Sequence, residues 1–180
     1  MVSVCVFCGS QAGTDPAHLQ AARELGADLA QAGHRLIYGG GSTGMMGAIA
    51  DSVLEHEGTV IGVIPEALAN IELMHPRVAD MRIVPDMHVR KAAMHALADC
   101  YVALPGGFGT MEELFEALCW AQLDFHSAPI ALLNIAGIYD GLVRLVDDMS
   151  DHGFLNSDHR KLLSTMTSVN EVTDWLREIS

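Results

Sequence analysis

Short runs of consecutive apolar, mostly β-branched residues alternate along the chain with longer stretches of helical periodicity. Val2–Cys8, His34–Tyr38, Thr59–Ile64, Asp80–Val84, Cys100–Leu104 and Pro129–Leu133 read as strands. Helical patterns cover about Pro16 to Ala32, Gly44 to Glu57, Met87 to Ala98, Met111 to Leu123, Tyr139 to Asp151 and Val169 to Ile179. Strands that are apolar throughout need cover on both faces. Strands that alternate with helices build a right-handed, doubly wound sheet. The expected fold class is therefore α/β, a doubly wound parallel sheet with helices on both faces. The chain has 180 residues, which suits a single domain over 1–180 with one sizeable core. Ala67–Ala79 is the one long irregular connection, a place for a short helix or a lid.

In such sheets, ligands sit outside the carboxyl ends of the strands. Three small-residue loops fall at those ends: Cys8–Gly13, Gly39–Gly47 and Pro105–Thr110. Three on one edge point to a shared anionic ligand, with Ser10, Gly41, Ser42, Thr43 and Gly44 as candidate contacts from the first two. The second loop contains G-x-G-x-x-G at Gly39, Gly41 and Gly44. That spacing admits a dinucleotide fingerprint, a mononucleotide loop, or a tight strand-to-helix turn that needs positive φ. It follows the second strand rather than the first, and Pro65-Glu66 stands where a ribose-binding acid would be expected.

The third loop carries more. Two glycines after a strand let the backbone turn tightly, and Thr110 stands where a helix N-cap belongs. Exposed amides and the helix dipole make a phosphate site there. Thr110-Met111-Glu112-Glu113 also has capping-box spacing. Glu113 thus has two readings: a carboxylate bonded back to the Thr110 amide, or a functional anion held ionised by the helix N-terminus. Upstream, Asp86-Met87-His88-Val89-Arg90-Lys91 opens a helix at the ligand edge. Arg90 offers fixed-geometry donors to a phosphate or a purine acceptor. Lys91 points about 100° away on the helix.

Charge changes the picture. Ten Lys plus Arg face 23 Asp plus Glu, a formal charge of −13. A nucleic-acid partner is not expected, because phosphate backbones need a basic face. An anionic ligand must instead use loop amides, helix N-termini and the few cations. No apolar run reaches membrane-spanning length, and Val2–Cys8 lacks the features of a signal peptide, so a cytoplasmic location is expected. Cys5 and Cys8 form a C-x-x-C spacing, open to redox or zinc chemistry or to buried free thiols in a reducing compartment. No second C-x-x-C accompanies it. The nine histidines show no metal spacing.

Taken together, Asp86-Met87-His88-x-Arg90-Lys91, Leu104-Pro105-Gly106-Gly107-Phe108-Gly109-Thr110-x-Glu112-Glu113-Leu114 and Trp120-Ala121-Gln122-Leu123 resemble the Lonely Guy (LOG) family, cytokinin riboside 5′-monophosphate phosphoribohydrolases. The resemblance runs from Phe7 to Phe154. It implies a Rossmann-like core, a homodimer, and no nicotinamide or pyridoxal cofactor. It implies catalytic roles for Arg90 and Glu113. It further implies substrate contacts at Glu72, at Lys91, and at Gly106, Gly107, Phe108, Gly109, Thr110, Met111 and Glu112. Cys119 stands where many members have Thr, a change that bears on contacts to the base. The implied reaction is hydrolysis of AMP or an N6-substituted AMP to free base and ribose 5-phosphate. A non-catalytic nucleotide-binding module of the same fold is the second reading. An NAD(P)-dependent oxidoreductase built on Gly39, Gly41 and Gly44 is the third. Arg90 and Glu113 together favour hydrolysis.

Overall fold

A computed structural model describes residues 1–69 and 74–179. Seven strands form one wholly parallel sheet: β1 Ser3–Phe7, β2 Arg35–Tyr38, β3 Thr59–Pro65, β4 Asp80–Val84, β5 Cys100–Ala103, β6 Ile130–Leu133 and β7 Leu163–Met166. Their order is β4-β3-β2-β1-β5-β6-β7. The chain winds outward from β1 to β4, then returns to β5 on the other side of β1 and winds outward again. The direction of winding therefore reverses between β1 and β5, and the crevice above that switch point is where such sheets bind ligands.

The helices are α1 Pro16–Gln31, α2 Gly44–Glu55, α3 Glu66–Ala69, α4 Met87–Leu97, α5 Phe108–Gln122, α6 Asp140–Asp151, α7 Ser157–Arg160 and α8 Val169–Glu178. Strand alternation sorts the core into two halves. Val4, Val6 and Cys8 pack with Leu25 and Leu29 of α1, Ile49 and Val53 of α2 and Val172 of α8. Cys5 and Phe7 pack on the opposite face with Met94 of α4, Leu114 and Ala117 of α5 and Val146 of α6. This split also decides the C-x-x-C question. Cys5 and Cys8 lie in opposite halves of the core, both free and buried, so they do not converge on a shared ion.

The six expected strands are present, with ends moved by a residue or so. Strand β7 and helix α7 carry no expected counterpart. In β7, Leu163-Ser164-Thr165-Met166, only Leu163 and Met166 are buried, so this edge strand lacks the continuous apolar run that marks the inner strands. The short α3 falls at the start of the 67–79 connection. The most consequential shift is at α5. The pattern places its start at Met111, but the helix begins at Phe108 with Gly107 as N-cap. The Met111 amide already donates to the Gly107 carbonyl at 3.1 Å. No described helix is long and apolar enough to cross a membrane.

Candidate active site

The three loops meet at the switch point. The Gly9 amide donates to the Pro105 carbonyl at 3.1 Å, and the Gly9 carbonyl accepts from the Met45 amide at 3.1 Å. Thr43 Oγ1 donates to the Ser10 carbonyl at 3.1 Å. Loop one is thus tied to both others. Glycine is required where backbones approach this closely. A Cβ on Gly106 would strike the Thr110 side chain and approach the Gly9 nitrogen to 2.9 Å. Gly44 has φ +59°, and a Cβ there would overlap the Ser10 backbone.

Between these loops and α4 lies a cavity of about 200 Å³, lined by Cys8, Gly9, Ser10, Met46, Met87, Arg90, Gly107, Phe108, Gly109, Thr110, Glu112 and Glu113. Asp86 caps α4, its Oδ1 accepting from the Val89 amide at 2.9 Å. That cap fixes the first turn and turns Arg90 inward. Arg90 and Met94 are the buried residues of this helix. Arg90 Nη2 lies 3.3 Å from Glu113 Oε1. Arg90 Nη1 reaches Met87 Sδ at 3.6 Å, and its Nε is buried with no partner. Part of the guanidinium's donor capacity is therefore uncommitted.

The earlier start of α5 corrects the reading of Thr110 and Glu113. Thr110 is the third helical residue, buried, and not the N-cap; the cap residue Gly107 makes no side-chain cap bond. Glu113 lies in the second turn, too far along for a capping box. It also lies beyond the first turn, where the dipole acts most strongly. Its environment is set by burial instead: it is 7% exposed. Burial pushes its carboxyl up to about 7, against the pull of Arg90, with Glu112 adding to the rise and Lys91 opposing it. The expectation that the helix terminus holds it ionised is therefore reversed. Near neutrality it passes readily between its two forms.

The other candidates fall as follows. Gly107, Phe108, Gly109, Thr110, Glu112 and Ser10 line the cavity; Gly106 borders an adjoining chamber of about 400 Å³ with Gly9, Ser10, His18, Met45 and Gly107. Gly41, Ser42, Thr43 and Gly44 shape the wall rather than line the cavity. Ser42 and Gly44 face a groove between α1 and α2, and Gly41 pairs with Met74 in an isolated bridge. Met111 packs against the core half under α5. Cys119 is exposed and lines a separate apolar hollow with Phe115, Leu118 and Leu155, away from Arg90. Lys91 does not line the cavity; its Nζ is held by Glu112 and by Glu116 Oε2, the latter at 2.6 Å. Glu72 lies outside the described residues. Met46 was not singled out by the sequence, and Gly39 only as part of the G-x-G-x-x-G spacing, not as a neighbour of Arg90. Met46 lines the cavity, and a Cβ on Gly39 would collide with the Arg90 guanidinium. Their signal was only their place in a glycine loop.

A doubly wound parallel sheet with a buried Arg–Glu pair beneath a glycine loop at its switch point defines a ligand-binding α/β protein with a chemically equipped cleft. The family model described as "Possible lysine decarboxylase" matches residues 46–176. A rice (Oryza sativa subsp. japonica) protein named probable cytokinin riboside 5′-monophosphate phosphoribohydrolase LOGL1 is 46% identical over 94% of this chain and 76% of its own length. The Arabidopsis thaliana cytokinin riboside 5′-monophosphate phosphoribohydrolase LOG7 is 41% identical over 97% of this chain and 81% of its own. The chain belongs to this family, as a member of its LOG branch. Among solved structures, the molybdenum cofactor binding protein of Rippkaea orientalis superposes with a TM-score of 0.75 at 20% identity, covering 99% of this chain and 98% of that one. At that identity the likeness concerns the fold.

Proposed function

We propose that the chain hydrolyses the N-glycosidic bond of a purine nucleoside 5′-monophosphate, AMP or an N6-substituted AMP, to free base and ribose 5-phosphate. The observation that carries this reading is the Arg90–Glu113 pair, 3.3 Å apart and buried, at the wall of a cavity rimmed by the first turn of α5. Catalytic weight falls on these two residues. The relatives' names and the shared motifs supply the substrate class.

The chemistry follows from the geometry. The amides of the 107–110 turn hold the 5′-phosphate without a large cationic surface, as an acidic protein requires. Cleavage of C1′–N9 builds positive charge on the sugar. Glu113, as carboxylate, stabilises that charge and accepts the proton of the attacking water. Its carboxyl near 7 suits a group that takes up a proton and returns it in one cycle. Arg90, with unfilled donors, binds the nucleotide and supports the departing purine.

The glycines of the second loop favour hydrolysis over the oxidoreductase reading. Gly39 makes room for Arg90, Gly41 for Met46 and Gly44 for Ser10. Each accommodates the protein itself rather than a pyrophosphate. The test is incubation with AMP and with isopentenyl-AMP, followed by analysis for free base and ribose 5-phosphate. Product from either is expected; no product from both would leave a nucleotide-binding module.

The same reading carries a cytoplasmic homodimer. Four free thiols suit a reducing compartment. Apolar side chains left exposed on α5 and just beyond it, Phe108, Phe115, Leu123 and Phe125, suit burial against a second copy. A mass of twice 19.3 kDa by light scattering is expected.

A further inference from the structure

We propose that Tyr139 is a positioning residue whose buried hydroxyl fixes the entry of the Pro105–Thr110 turn, and with it the amides that receive the substrate's 5′-phosphate. The proposal rests on the nucleotide-hydrolase reading for its ligand.

Tyr139 lies between β6 and α6, far in sequence from the turn it serves. Asn134, the residue after β6, folds the chain back. Its amide donates to the Met166 carbonyl of β7 at 2.7 Å. Its side-chain oxygen accepts from the Tyr139 amide, and its side-chain nitrogen donates to Asp140 Oδ1, each at 2.7 Å. Ala136 adopts φ +54° inside this turn, a left-handed conformation that a non-glycine residue keeps only where its surroundings impose it. These ties send the Tyr139 ring into the core half under α5, with 4% of the residue exposed.

The ring delivers a hydroxyl to the point where β5 gives way to the turn. A hydroxyl carries one donor and two acceptor sites. The Tyr139 hydroxyl donates to the Leu104 carbonyl at 2.7 Å, and the Gly106 amide donates to the hydroxyl oxygen. Burial pushes the ionisation of this phenol above the usual tyrosine range, against the pull of that amide, so the proton stays available for Leu104. One side chain thus pairs two backbone groups that flank Pro105, which has no N–H and whose carbonyl accepts from the Gly9 amide. Gly106 is held from the other side by Gly9 and Thr110, which leave no room for a Cβ. The backbone of residues 104–106 is therefore fixed on both flanks, and Gly107, the N-cap of α5, follows directly. Tyr139 is not among the residues that line either chamber. It acts on a ligand only through the turn.

The test compares Tyr139→Phe, Asn134→Ala and Val146→Ala with the wild type. Tyr139→Phe keeps the ring and removes only the hydroxyl. It should weaken ribose 5-phosphate binding, measured by calorimetry, by ~10-fold, the scale of one lost hydrogen bond. KM for AMP should rise by a like factor, while the pH midpoint of kcat, which reports Glu113, stays where it is. The amides of Gly106 to Thr110 should exchange faster with deuterium. Asn134→Ala withdraws the acceptor of the Tyr139 amide and should move the same readings in the same direction, so it carries the comparison if Tyr139→Phe does not fold. Val146→Ala removes core packing from α6 and should lower Tm without moving the affinity. Unchanged affinity in Tyr139→Phe, an equal loss in Val146→Ala, a fall in kcat at unchanged KM, or a wild type that binds no ribose 5-phosphate would each overturn the proposal. If the wild type cleaves neither AMP nor isopentenyl-AMP, the hydrolase reading fails, and ribose 5-phosphate affinity with amide exchange still decides the role of Tyr139.

Discussion

The loops Gly39–Gly47 and Pro105–Thr110 leave the two strands that flank β1, and both are rich in glycine. In the first, a Cβ on Gly39, Gly41, Gly44 or Gly47 would collide with Arg90, Met46, Ser10 or Ser42 respectively. In the second, a Cβ on Gly107 or Gly109 would meet no protein atom within 4 Å. Gly109 even lies in the first turn of α5, where glycine's conformational freedom works against the helix relative to alanine. Nothing in the fold asks for it. The first loop uses glycine to pack the protein against itself. In the second, Gly106 packs in the same way against Thr110 and Gly9, but Gly107 and Gly109 leave open space beside helix amides, the room that the proposed ligand would use. Glycine content alone does not separate these uses; what a side chain would strike does.

Four experiments sharpen or break this contrast. The largest effect is expected from Glu113→Gln, which should keep nucleotide affinity but reduce turnover at least ~100-fold, the scale of losing a general base or an electrostatic group. Wild-type-like turnover would remove Glu113 from the chemistry and leave the second loop a binding element only. Gly39→Ala should come next. It drives a methyl into the Arg90 guanidinium, so kcat should fall ~10-fold or more, with ~1–3 kcal/mol of stability lost to overpacking. Full activity in that variant would mean Arg90 has room to move and is not held by the first loop.

The third is a pH dependence. Glu113 titrates at about 7 in the folded protein, against ~4.3 for an unperturbed glutamate. The folded state thus binds this proton more tightly than the unfolded chain. The stability contributed by the protonated carboxyl is fully present below the unfolded value and is lost as pH rises through about 7. Thermal unfolding at pH 5 and pH 8 should show a smaller difference in Glu113→Gln than in the wild type. An equal difference would place the source elsewhere. Turnover should run the other way, rising with pH through about 7 as the carboxylate forms. The smallest effect is expected from Gly109→Ala, a gain of ~0.4–1 kcal/mol from a less flexible unfolded chain with a raised KM. A stability gain without a change in KM would show that the second loop's open space is not occupied by substrate.

Much of this architecture is legible in the sequence because the apolar strands are continuous and each is followed by a loop of small residues. That pattern yields the parallel sheet, the convergence of three loops and the candidacy of Arg90 and Glu113. Strand β7 escapes it, since an edge strand with two buried residues carries almost no periodic signal. The start of α5 escapes it for a different reason. Thr110 is a good capping residue, and local propensity favours a helix beginning there. The close packing of Gly106 on Gly9 and Thr110 instead lets the turn close three residues earlier.

That shift marks the boundary between what the chain alone determined and what the tertiary structure decided. The order of apolar runs and glycine loops determined the class of fold, the edge that carries the site and the residue types available to it. These are local properties, written in spacing and composition. The state of Glu113, the occupation of Lys91 and the turning away of Cys119 depend on what neighbours surround each side chain. Burial raises one carboxyl and two carboxylates absorb one ammonium. Such effects arise between elements distant in sequence, so they exist only once the sheet has brought α4, α5 and β1 together.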